Sequence, residues 1–89
     1  MNLTNNANRK EVEIIIMRVS RCRSYVKRIL KKRDQDVFWK HYQDLLKGQQ
    51  NLDYEFTNHD VGIARELENI LTCLFNTEAS LNTLFKFTS

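Results

Sequence analysis

The sequence predicts an all-α fold: a small three-helix bundle with a long basic first helix, whose C-terminal segment either prolongs the third helix or adds a short fourth. Three observations carry this expectation. Two glycines and no proline in 89 residues fall far below ordinary usage of roughly 7% and 5%, so the residues that punctuate turns and sheets are scarce. Apolar residues recur at spacings of three and four, the period of a helix with one buried face. Cap-forming residues interrupt that pattern at Asn8, at Asp34 to Asp36 and at Thr57 to Asp60, each where a helix would begin.

Residues 1–8 are polar and Asn-rich and read as a flexible N-terminus, which leaves 9–89 as a single helical domain. Asn8 is placed to cap the first helix, with Glu11 at the reciprocal capping-box position. Val12, Ile15, Val19, Cys22, Val26 and Ile29 then follow a 3-4-3-4-3 spacing, widened by Ile16 and Leu30. A helix over 9–33 would be a rod of roughly 37 Å at 1.5 Å per residue.

Asp34-Gln35-Asp36 supplies the next cap, and its negative charge suits a helix N-terminus. Phe38, Tyr42, Leu45, Leu52 and Phe56 keep a heptad-like spacing across Gln49, which argues for a second helix over 36–56. Lys47-Gly48 argues for a stop, because a cation in the last turn followed by glycine is a C-terminal signal. Both ends stay open at this point. Thr57 and Asp60 have capping-box spacing for a third helix over 59–76, whose face is Ile63, Leu67, Ile70, Leu71, Leu74 and Phe75. Leu81, Leu84 and Phe85 extend that face if the helix passes Asn76-Thr77.

Charge divides the chain. Ten of its fourteen Lys and Arg lie between Arg9 and Arg33 against only Glu11 and Glu13, so this stretch carries +8 and the remainder −5 within a net +3. Such a helix meets an acidic protein, a nucleic acid, an anionic membrane surface or the acidic helices of its own chain. Helix 1 has no Trp or Phe to anchor at an interface, which weakens the membrane option. No stretch approaches the ~18 apolar residues of a membrane span. The N-terminus lacks the order of a signal peptide, and Cys22 and Cys73 form no disulfide framework, so a cytoplasmic location is expected.

Catalytic ingredients are sparse. His41 and His59 are solitary and belong to no metal-ligand spacing, Gly48 and Gly62 belong to no phosphate loop, and no cofactor is expected. The residues expected to bind a partner are of two kinds. On a helix, Arg18, Arg21, Tyr25, Arg28 and Lys32 share one stripe with Ile14, where guanidinium forks and an aromatic ring make a binding surface. Trp39 and Leu46 lie about 80 to 100° from the apolar seam of the second helix and serve as anchors. Met17 and the closing Phe85-Lys86-Phe87 also fall outside the seams. The expectation is therefore a non-enzymatic protein-interaction module, a regulator, chaperone or adaptor, that engages an acidic or helical protein partner, with a homodimer compatible with the same seams. The alternative is a nucleic-acid-binding accessory protein that uses the basic stripe for phosphate contacts.

Overall fold

The structure is a computed structural model that describes residues 3–88, with side chains from Ala7 to Phe87. Its described residues form four helices and no strand: α1 (Leu3–Arg21), α2 (Arg23–Ile29), α3 (Lys32–Gln50) and α4 (Asn58–Thr88). Part of the loose segment expected for residues 1–8 lies outside the described residues, and α1 already begins at Leu3. Asn8 is thus inside a helix rather than at its cap, and its amide donates to the Phe56 carbonyl at 3.1 Å.

The single rod expected over 9–33 is two helices. At Cys22 the backbone turns (φ −93°, ψ 9°), and the Cys22 N–H is shared between the carbonyls of Arg18 and Val19 at 3.0 and 3.1 Å. No glycine or proline announces this break. A second corner follows at Leu30 and Lys31, both extended, where α2 ends and α3 begins. The cap expected at Asp34 to Asp36 is not used to start α3, which opens two residues earlier at Lys32 with no side-chain cap bond. Gln35 instead closes the preceding helix: its amide donates to the Lys27 and Leu30 carbonyls at 3.0 and 2.6 Å, groups that a helix end leaves without partners.

α3 passes through Gly48 and stops at Gln50, so neither expected end holds. Gly48 is a seat rather than a stop. A Cβ there would lie 3.1 Å from the Tyr54 ring and 3.2 Å from Phe56, so the glycine lets these two rings pack closely on α3, and a side chain would require them to shift by a few tenths of an ångström. Residues 51–57 are a link, not helix; Leu52 is 89% exposed while Phe56 turns back into the core at 1%.

α4 runs without interruption through Asn76-Thr77. The Thr77 hydroxyl bonds back to the Cys73 carbonyl at 2.9 Å, and Thr83 does the same to Ala79 at 3.0 Å; hydroxyls satisfied in this way need not open a new cap. At 1.5 Å per residue α4 is about 46 Å long, and it sets the long axis of a molecule measuring 58 × 24 × 18 Å.

Side-chain pairs give the directions. Glu11 meets Arg65, Arg18 meets Glu68, Tyr25 meets Leu74 and Arg28 meets Glu78, so α1 and α2 run parallel to α4. Arg9 meets Gln49 and Ser20 meets Tyr42, so α3 runs against α1. The core between them is Val12, Ile15, Ile16, Val19 and Val26 from the first two helices, Phe38, Tyr42 and Leu45 from α3, Phe56 from the link, and Ala64, Leu67, Leu71 and Leu74 from α4. Burying the apolar face of each helix in this way is what makes a chain this small stable.

Candidate interaction surface

The predicted basic stripe faces α4, and much of it is engaged there. Arg18 hydrogen-bonds and ion-pairs with Glu68. Arg28 pairs with Glu78 at 2.6 Å and lies over the Tyr25 ring. Tyr25 donates its hydroxyl to the Leu74 carbonyl and stacks on Phe75 at 4.8 Å between ring centres. Partial burial, and then the Glu78 carboxylate, hold its phenol above the ordinary tyrosine value. The second carboxylate oxygen of Glu78 is buried with no hydrogen-bond partner in the structure. Arg21 stays exposed beside a shallow apolar groove lined by Cys22, Leu71 and Phe75.

Lys32 is not on the stripe. The corner at Lys31 makes it the first residue of α3, where it is exposed at the end of the bundle. Trp39 is half-buried: its ring meets Phe38 and Tyr42 edge-on at 5.0 and 5.4 Å, and Arg23 covers it at 5.6 Å. Leu46 is likewise half-buried against the core. The structure therefore divides the seven predicted residues. Arg18, Tyr25 and Arg28 hold α4, Trp39 and Leu46 widen the core, and Arg21 and Lys32 present charge to solvent.

From Ile14 to Arg33 there are eight cations and no carboxylate. Among the described residues, Arg18 and Arg28 pair with α4, and Arg33 approaches Asp34 at 4.0 Å. Arg21, Lys27, Lys31 and Lys32 are exposed and enter no ion pair among the described residues. Of these, Lys31 and Lys32 stand at the corner between α2 and α3, next to the α2 end where Arg28 meets Glu78 of α4, while Arg21 closes α1 and Lys27 lies within α2.

Beyond Glu78 the character of α4 changes. Its buried positions Ala64, Leu67, Leu71 and Leu74 continue in register through Glu78 to Leu81 and Phe85, with Leu84 alongside. Yet every residue from Ala79 to Phe87 is exposed, Leu81 at 41%, Leu84 at 55%, Phe85 at 63% and Phe87 at 85%. The apolar face of α4 thus continues past the core as an exposed strip. This is the feature that the expected site omitted. Its signal was present in the extension of the third helix face past Asn76-Thr77 and in the rings of Phe85 and Phe87.

His41, His59 and Glu66 share an open groove between α3 and the start of α4, together with Gly62 and Ile63. It is a surface trough, not an enclosed pocket. Among the described residues no group of three His, Cys, Asp or Glu is placed to hold a metal ion, and no helix is long and apolar enough to cross a membrane. Cys22 and Cys73 are both free thiols. No family model, no curated protein and no solved structure matches this chain.

Proposed function

We propose that the protein is a small non-enzymatic interaction module, a regulator, chaperone or adaptor working in the cytoplasm, whose main contact is the exposed end of α4. The observation that carries this is the apolar strip Leu81, Leu84, Phe85 and Phe87, which continues the buried seam of α4 past the last core residue, Leu74. Burial of such a strip supplies affinity at about 25 cal/mol per Å² of apolar surface before the cost of association. Arg21 and Lys32 act as steering charges around it, affecting approach and orientation more than affinity.

The test is capture from source-cell lysate with nuclease present, at low and high salt, comparing the wild-type chain with Leu81→Glu and with Arg21→Glu/Lys32→Glu. A stoichiometric protein that persists at high salt with wild type, disappears with Leu81→Glu and is captured more slowly by the charge variant supports the proposal. Retention unchanged in Leu81→Glu sinks it. Arg28 is left alone, because a glutamate there would repel Glu78 and report on the bundle instead.

One observation favours a second reading, a nucleic-acid-binding accessory protein. The run from Ile14 to Arg33 contains no acid, and Arg21, Lys27, Lys31 and Lys32 are exposed. Phosphate contacts by these four would make affinity for generic duplex fall with salt at a log-log slope of about −3 to −4. Salt-insensitive binding separates the first reading from the second.

A further inference from the structure

We infer that the occupant of the α4 end is an acidic amphipathic helix of a partner protein, lying antiparallel to α4; this rests on the interaction-module reading and specifies its partner. Two features meet at one place. Leu81, Leu84 and Phe85 form an apolar strip along the last turns of α4, a surface of helical period that a second helix fits by placing apolar residues three and four apart. At the root of that strip stands a collar of cations. Arg28 is fixed there by its bond to Glu78, and Lys31, Lys32 and Arg33 follow within about one turn, all exposed.

A helix lying on the strip reaches this collar with one of its ends. If it runs antiparallel to α4, the end at the collar is its C-terminus, where the unpaired carbonyls carry roughly half a negative charge. Carboxylates on its flanks complete the match, whereas lysines there would face four cations. The antiparallel direction also sets its positive N-terminus beside the C-terminal turn of α4.

A second copy of this chain fits poorly. From Ala79 to Phe87 α4 has no carboxylate, and Glu78 is already paired with Arg28. Two copies joined through these ends would bring two cationic collars together, with only Asp34 and Asp36 at the start of each α3 to set against them. Cations outnumber carboxylates at this end, and an acidic partner helix supplies the balance.

The experiment is a display selection of 18-residue helical peptides, randomised among Leu, Ala, Gln, Glu and Lys, against the full-length chain. Enriched peptides should have an apolar stripe at three- and four-residue spacing and a net negative charge concentrated towards the C-terminal turns. Binding of an enriched peptide, measured by titration calorimetry, should fall about tenfold or more with Leu81→Glu, the loss of an apolar anchor. It should fall with Lys31→Glu/Lys32→Glu as well and be restored when the acidic positions of the peptide become lysine; circular dichroism checks that both variants keep their helices. Enrichment of neutral or basic helices, or indifference to the charge variant, overturns the acidic partner and leaves the interaction module standing. Self-association abolished by Leu81→Glu, read by sedimentation equilibrium, would assign the strip to a second copy and overturn it equally. No enriched helix together with retention on duplex DNA would remove both proposals.

Discussion

The two ends of this molecule are built on opposite principles. At the link end, where α3 gives way to α4, side chains answer several of the polar groups that the turn exposes. Arg9 donates to the carbonyls of Gln49, Asn51 and Tyr54 at 3.2, 3.0 and 2.7 Å and lies over the Phe56 ring. Thr57 and Asp60 cap α4 reciprocally, Thr57 N–H to the Asp60 carboxylate at 2.8 Å and Asp60 N–H to the Thr57 hydroxyl at 3.2 Å. At the other end α3 starts without a side-chain cap, cations crowd the corner, and α4 presents apolar turns to solvent. One end answers its turn with side chains; at the other, Gln35 closes α2 and Arg28 meets Glu78, but Lys31, Lys32 and the last turns of α4 are exposed.

Mutations should sharpen that contrast. The largest loss should come from Phe56→Ala, which empties a fully buried site over Gly48 and should cost about 3–5 kcal/mol in denaturant unfolding. Next is Arg9→Met, which keeps the apolar stem but removes donors to three carbonyls; about 2 kcal/mol is expected. Thr57→Ala should cost about 1 kcal/mol through loss of the α4 cap. A smaller effect is expected at alkaline pH. Its hydrogen bond to Asp60, and then burial, raise the Tyr54 phenol above 10, so the folded state favours the neutral phenol. Its contribution is complete below pH 10 and is lost as pH rises through the folded value; a Tyr54→Phe chain should show a flatter fall of the denaturation midpoint between pH 9 and 12. At the opposite end, Leu81→Glu and Lys31→Glu/Lys32→Glu should shift stability by less than about 0.5 kcal/mol. A large loss from Leu81→Glu would mean that this end is structural after all, and the comparison would collapse.

How far the sequence reveals these ends depends on the range of the interactions that make them. The Thr57 and Asp60 cap is local, three residues apart, and is legible. The seam of the first two helices is legible too, since Val12, Ile15, Val19 and Val26 are all buried. The break at Cys22 is not, because neither residue type that usually kinks a helix is present. The engagement of Arg18 and Arg28 is equally hidden: their partners Glu68 and Glu78 lie fifty residues away, and periodicity places a residue on a face without saying what lies opposite. Trp39 and Leu46 show the same limit. Their angle from the seam is correct, but a bundle covers a wider arc than one stripe. Gly48 carries both a stop signal and a packing signal, and only the rings of Tyr54 and Phe56 decide between them.

The parallel run of α1 and α4 bears on how the chain reaches its fold. Each tie between those helices closes about fifty residues, whereas the bond from Gln35 to Leu30 closes five. Closure entropy grows with the logarithm of loop length, and contacts distant in sequence slow folding relative to local ones. The corner between α2 and α3 can therefore form early as a helical hairpin. Docking of α4 is the long-range step, and the bonds of Asn8 and Arg9 that fasten the link span 40 to 48 residues as well.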